Sequence, residues 1–209
     1  MKRLETPFIL GLGGPSCSGK TELAVILSRK LDQLNPIIIS IDSFYKDLSH
    51  LQPFEREKIN FDHPSALDFD LMISHINELI RGEPIRIPIY DYATHTRLSK
   101  SEMVTAGQLI IIEGIFAFCH HILLSLYNVK IFLDLDDKTA LKRRLWRDIN
   151  FRQRTEQSIK KQFYDFVLPM QKEFIHPGKD IADLIISGID PLAHSADKII
   201  NLIDKIMLK

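Results

Sequence analysis

Five short runs rich in Ile, Leu and Val recur along the chain: Phe8 to Leu12, Pro36 to Ile41, Leu109 to Ile112, Val129 to Leu133, and Asp183 to Ser187. Their apolar residues follow one another without polar alternation, as strands buried on both faces require, so the runs predict a parallel sheet covered on each side. Amphipathic helical periods lie between most of them. Leu23, Ala24, Leu27 and Leu31 share a face of the first helix, and Ala196, Ile199, Ile200, Ile203 and Met207 share a face of the last. This alternation predicts an α/β doubly wound domain with a mostly parallel five-stranded sheet, whose ligands sit beyond the carboxyl ends of the strands.

Residues from about Leu48 to Arg97 interrupt the rhythm. A helix is predicted to begin after the cap residue Asp68, to run through Leu71, Ile76 and Ile80, and to stop at Gly82. A strand follows, in which Ile85, Ile87 and Ile89 alternate with Arg86 and Pro88, and Pro88 places it at an edge because proline cannot donate a ladder hydrogen bond. The segment reads as a substrate-facing insertion in a single domain spanning 1–209, since no repeat, low-complexity tract or linker marks a second one.

Composition narrows the setting. The 209 residues are 45% hydrophobic and carry 27 Lys+Arg against 27 Asp+Glu, which suits one soluble globular domain with a sizeable core and offers no sustained positive field for nucleic acid or an anionic membrane. The two cysteines, Cys17 and Cys119, form no CxxC pair, and no secretory N-terminus or apolar stretch of about 20 residues occurs. These features lead us to expect a cytoplasmic protein without a membrane segment. His120 and His121 are adjacent and lack zinc-site spacing, so they read as a loop or helix-start feature.

The chemistry begins between the first strand and the first helix. Gly14-Pro15-Ser16-Cys17-Ser18-Gly19-Lys20-Thr21 matches G-x-x-x-x-G-K-[ST], a loop whose backbone N–H groups converge on phosphate oxygens beside a helix N-terminus. Lys20 is placed to neutralise the β- and γ-phosphates, and Thr21 to present its hydroxyl to Mg2+. The dinucleotide fingerprint fails at Ser16, where a third glycine is needed. Asp42 follows the second strand and Glu113 ends the third, giving a candidate base and a candidate metal ligand near the phosphates.

These motifs, together with Asp42-Ser43-Phe44-Tyr45, Asn60-Phe61-Asp62-His63-Pro64 and Pro88-Ile89-Tyr90-Asp91-Tyr92-Ala93-Thr94-His95-Thr96-Arg97, resemble the uridine-cytidine kinase family within the phosphoribulokinase-like P-loop kinases. The resemblance continues through Arg143-Arg144, Arg147-Asp148, Arg152, Arg154, Gln162 and Ala182 to Ile186. It implies transfer of the γ-phosphoryl of ATP or GTP, with Mg2+, to the 5'-hydroxyl of a pyrimidine ribonucleoside. It further implies that Asp42 acts as base and approaches the metal, that Thr21 and Glu113 serve the metal, and that Gly14, Ser16, Ser18, Gly19 and Lys20 cradle phosphate. Asp62, Arg144 and Gln162 fall on ribose-gripping positions, Tyr90 and His95 on base-reading positions, and Tyr45, Phe61 and Tyr92 on the wall around the nucleoside. A homotetramer inhibited by end-product triphosphates is implied as well.

The residues support this resemblance on their own chemistry. A helix starting near Lys138 presents Arg143, Arg144 and Arg147 on adjoining faces, Arg152 and Arg154 follow in a predicted loop, and the stretch from about 143 to 160 suits an arginine-rich lid over a triphosphate. Arg147, Arg152 and Arg154 are thus candidates for stabilising the transferring phosphoryl group, Arg147 in a catalytic capacity. Three positions depart from the family pattern: Pro15 removes one backbone donor from the cradle, Tyr92 adds a hydroxyl beside the base, and Thr155 stands where an acidic residue is frequent. Two other readings compete, a P-loop kinase of another small hydroxyl acceptor and a noncatalytic nucleotide-binding regulator.

Overall fold

A computed structural model describes residues 6–56 and 58–207. Five parallel strands, β1 (Phe8–Gly13), β2 (Ile37–Ser40), β5 (Leu109–Glu113), β6 (Val129–Asp134) and β7 (Leu184–Ser187), form a sheet in the order β2-β5-β1-β6-β7. All five predicted apolar runs are strands of this sheet. Its centre is β1, which pairs Leu12 with Glu113 on one side and with Ile131 on the other. Parallel pairing sends every carboxyl end to one edge, so the segments after β1, β2 and β5 emerge side by side.

Strand pleat divides the core into two layers. Phe8, Leu10 and Leu12 of β1 and Leu109 and Ile111 of β5 face one layer, closed by Leu23, Ala24 and Leu27 of α1 (Lys20–Lys30) and Ala196, Ile199 and Ile203 of α8 (Leu192–Met207). Ile9, Ile110 and Ile112 face the other, closed by Met72, Ile76 and Leu79 of α3 (Phe69–Ile80) together with Phe116 and Tyr127. Asp68 caps α3 by accepting a hydrogen bond from the Leu71 N–H at 3.1 Å, and Gly82 ends the helix at φ 79°. Both boundaries match the sequence reading. The remaining helices are α2 (Pro53–Arg56), α4 (His121–Leu126), α5 (Asp137–Arg152), α6 (Glu156–Gln162) and α7 (Leu168–Met170).

Three details differ from expectation. First, the predicted edge strand is β3 (Ile85–Asp91), but it belongs to a separate two-stranded ribbon with an unpredicted antiparallel partner, β4 (Thr96–Val104). The partner strand escaped notice because most of its side chains are exposed and no apolar alternation marks it. Second, the register shifts between Pro88 and Tyr90, so Ile85 and Ile87 are buried, Ile89 is exposed and Tyr90 turns inward. A bulge re-aims the side chains that follow it. Third, α5 runs to Arg152, which therefore closes a helix rather than lying in a loop; only the turn that holds Arg154 is non-helical.

Arg97 anchors the ribbon. Its guanidinium donates to the carbonyls of Tyr45 at 3.0 Å and Phe44 at 3.4 Å and pairs with the Asp68 carboxylate at 3.1 Å. One side chain thus ties β4, the turn after β2 and the start of α3 together. Asp68→Ala removes both the cap and this ion pair, and is expected to lower unfolding free energy by about 1–2 kcal/mol in urea denaturation, the usual worth of an N-cap plus a partly buried pair that still touches water.

Candidate active site

The phosphate loop turns tightly between β1 and α1. Gly14 sits at φ 141°, and a Cβ there would overlap the Leu133 carbonyl, while Gly19 at φ 98° opens α1 from a left-handed conformation. No side chain caps α1, so its first N–H groups and the positive end of its dipole face the loop. Lys20 is buried and its ammonium donates to the Pro15 carbonyl at 2.8 Å and to the Ser18 hydroxyl at 3.3 Å. Pro15, which lacks an N–H, therefore contributes its carbonyl to holding the lysine. Arg143 braces the loop from outside by donating to the carbonyls of Cys17 at 3.1 Å and Gly188 at 3.0 Å.

Three charged groups crowd the carboxyl edge. Burial lowers the Lys20 pKa against the opposing pull of Glu113 and Asp42, and burial reinforced by Glu113 pushes the Asp42 carboxyl up to about 6. Asp42 lies in the 3-10 turn Ile41–Phe44, where its Oδ1 is shielded from solvent and has no hydrogen-bond partner. Glu113 is buried at the end of β5. Thr21, the other predicted metal residue, is exposed in the first turn of α1.

Beside these charges opens a cavity of about 1130 Å³. Ser16 and Asp42 line its phosphate end; Gly14, Ser18, Gly19, Lys20, Thr21 and Glu113 lie outside its wall. Aromatic residues form one side: Tyr45 packs against Tyr90 at 5.3 Å and Phe61 at 5.8 Å, and Tyr90 meets Tyr92 edge-on at 5.3 Å. The His95 ring stacks on Phe61 at 4.1 Å from a backbone φ of 56°, and the half-exposed Tyr92 donates a long hydrogen bond to the Asp42 carbonyl at 3.5 Å. The Tyr90 hydroxyl is buried without a partner, and its pKa is raised by burial to about 12, so it remains a neutral donor.

Polar groups from distant parts of the chain form the opposite side. Gln162 donates from Nε2 to Asp62 at 3.3 Å and accepts at Oε1 from Arg154 at 2.5 Å and Arg144 at 3.3 Å. A carboxylate, an amide and two guanidinium groups thus meet across 100 residues of sequence separation. Burial raises the Asp62 pKa, opposed by the Arg144 charge and the Gln162 hydrogen bond. Arg147 and Arg152 also face the cavity, so four of the five arginines singled out for the lid line it, and Arg143 instead braces the phosphate loop.

Asp148 holds these arginines together. It is fully buried on α5, accepts from Arg147 Nε at 2.8 Å, and lies within ion-pair distance of Arg152 at 3.5 Å, Arg144 at 3.6 Å and Arg154 at 3.7 Å. Sequence reasoning gave it no role, although it is the only acidic residue between Lys142 and Arg154, and a lone carboxylate in a basic run is a readable signal. Without its charge the guanidinium groups repel one another, and mutual repulsion at this spacing pushes side chains into solvent. Asp148→Asn is expected to cost about 1–3 kcal/mol of stability, less than a fully buried pair because three of the arginines reach water, and to raise KM for both substrates, measured by denaturation and steady-state kinetics.

A parallel sheet of this order, with a glycine-rich phosphate loop after its central strand, two carboxylates at the adjacent strand ends and an arginine-bearing helix over the cavity, defines a P-loop kinase. The sequence model of the Phosphoribulokinase / Uridine kinase family matches residues 9–192, and the chain belongs to that family. It is 41% identical over 182 residues to a uridine kinase of Chloroflexus aurantiacus, covering 87% of each chain. It is 44% identical over 181 residues to a uridine kinase of Streptococcus agalactiae, covering 86% of each. In fold it is similar to the phosphoribulokinase from Rhodobacter spheroides, with a TM-score of 0.64 and 13% identity over 90% of this chain and 75% of that one. No helix among the described residues is long and apolar enough to cross a membrane.

Proposed function

We propose that the protein is a uridine/cytidine kinase that moves the γ-phosphoryl of ATP or GTP to the 5'-hydroxyl of a pyrimidine ribonucleoside, giving UMP or CMP. The observation that carries this reading is the pairing of two unlike walls in one cavity that ends at Asp42 and the phosphate loop. Aromatic rings of Tyr45, Phe61, Tyr90 and His95 suit a flat base, whereas Asp62, Gln162 and Arg144 suit a sugar edge bearing two hydroxyls. The similar proteins named uridine kinase support the same substrate class.

In this reading the loop amides and Lys20 receive the triphosphate, with Ser16 and Ser18 beside them, and Arg147, Arg152 and Arg154 close over it to meet the charge that develops during transfer. Asp42 accepts the proton of the 5'-hydroxyl, a task suited to a carboxylate whose pKa stands near 6 rather than 4. Asp62 and Gln162 fix the sugar, and Tyr90 and His95 read the base. The residues present fit Mg2+: Asp42 Oδ1 has no protein partner, and Glu113 and the Thr21 hydroxyl are the other oxygen donors at this edge. Bound there, Mg2+ neutralises charge on the β- and γ-phosphates. We further propose that the enzyme works in the cytoplasm as a homo-oligomer.

A coupled assay with MgATP or MgGTP and either uridine or cytidine tests the reading. Product UMP or CMP is expected, and no turnover with any of the four combinations refutes it. Deoxyuridine is expected to react poorly, with kcat/KM down by as much as ~10^4 if the buried Asp62 and Gln162 lose a hydroxyl partner; equal values for uridine and deoxyuridine remove those residues from the sugar site.

Asp42 gives a second test with a defined sign. Its folded pKa of about 6 exceeds the ordinary carboxylate value of 3.8, so the unfolded chain releases its proton first as pH rises. The contribution of Asp42 to stability therefore falls between about pH 4 and 6 and stays unfavourable above that window. Asp42→Asn is expected to raise Tm at pH 8 while lowering kcat by ~10^2 to 10^4, the usual worth of a general base. In the parent enzyme kcat should fall as pH drops below about 6. Near-normal turnover by the variant excludes Asp42 as the base.

A further inference from the structure

Gln171 stands apart from every residue assigned above. It lines the same cavity, its side chain is only 1% exposed, and neither its Oε1 nor its Nε2 has a hydrogen-bond partner. A buried amide with both ends unpaired is costly, so a fold that keeps one in a cavity wall has a use for it. The local backbone shows how it is aimed. Residues 163–167 and 171–175 are π-helical turns that flank α7, and Pro169 lies between them, where its missing N–H and its ring disfavour regular α-helical bonding. From this segment Gln162, Phe166, Val167, Met170, Gln171 and Ile175 line the cavity, so one face of it is turned to the site.

The position along that wall follows from two contacts with one loop. Gln162, before the first wide turn, donates to Asp62 at 3.3 Å, and Phe174, within the second, packs edge-on against His63 at 4.7 Å. Gln171 lies between these contacts along the chain and, like Gln162 and Asp62, lines the cavity. We propose that Gln171 is a specificity-determining residue of the acceptor site, hydrogen-bonding the hydroxyl-bearing side of the nucleoside's sugar from the turn beyond Gln162. An amide suits this task because it donates to and accepts from a hydroxyl at once. The inference rests on the nucleoside kinase reading and adds a residue to its sugar site.

Gln171→Met, with a side chain of nearly equal length and no amide, separates this role from a structural one. KM for uridine is expected to rise roughly tenfold or more, because a sugar hydroxyl then lies buried without its partner, while KM for ATP stays at the parental value. Tm should rise, since an unpaired amide leaves the core. The penalty for replacing uridine by its 2'-deoxy or 3'-deoxy analogue should shrink in the variant for the hydroxyl that Gln171 contacts. Gln171→Asn, which keeps the amide but withdraws it by one methylene, provides a second variant should the first fold poorly, and a raised KM for uridine is expected there too. An active parent whose variants keep the parental KM for uridine overturns the inference alone. A parent that neither binds nor phosphorylates uridine overturns the nucleoside kinase reading and this inference with it.

Discussion

Parallel pairing around β1 is the constraint from which the rest of the molecule follows. Five strands running the same way leave their carboxyl ends at one edge, and the crossovers needed to return the chain cover both faces of the sheet. The phosphate loop, the turn holding Asp42 and the end of β5 at Glu113 are therefore neighbours although they are far apart in sequence. The same burial that secures the sheet strips water from these charges. Desolvation displaces both Lys20 and Asp42 from their ordinary pKa values, with Glu113 reinforcing the shift at Asp42 and opposing it at Lys20.

The wall of the cavity shows a different arrangement. Several of its groups, the hydroxyl of Tyr90, Oδ1 of Asp42 and the amide of Gln171, are buried without protein partners, which stability alone does not favour. The scaffold around them is correspondingly well tied. Arg97 fixes the ribbon that carries Tyr90 and His95, Asp148 gathers the arginines, and Gln162 links that cluster to Asp62. Unpaired groups held rigidly by paired ones are what recognition of a polar small molecule requires, because a ligand then completes hydrogen bonds that the protein leaves open.

Much of this was legible in the chain itself. Unbroken Ile and Leu runs marked all five sheet strands, Asp68 and Gly82 marked the ends of α3, and the loop from Gly14 to Thr21 announced a phosphate site. What escaped had physical reasons. The exposed strand β4 carries no core pattern, the bulge after Pro88 breaks alternation, and helical periodicity says nothing of π turns. The meeting of Asp62 with Gln162 is tertiary, and no spacing rule spans it. Resemblance to a family suggested those partners; Asp148 carried a signal as the lone carboxylate in a basic run, whereas Gln171 needed coordinates, being an ordinary helical glutamine until its burial is known.

The account turns on whether the Asp42 carboxylate and the acceptor's primary alcohol meet in front of the phosphate loop. A crystal structure of the protein with uridine, Mg2+ and a nonhydrolysable triphosphate measures this directly. The account predicts the 5'-oxygen within about 2.6–3.2 Å of Asp42, with the γ-phosphate in line beyond it. A nucleoside seated elsewhere, or a 5'-oxygen turned away from Asp42 with the lid closed, contradicts it.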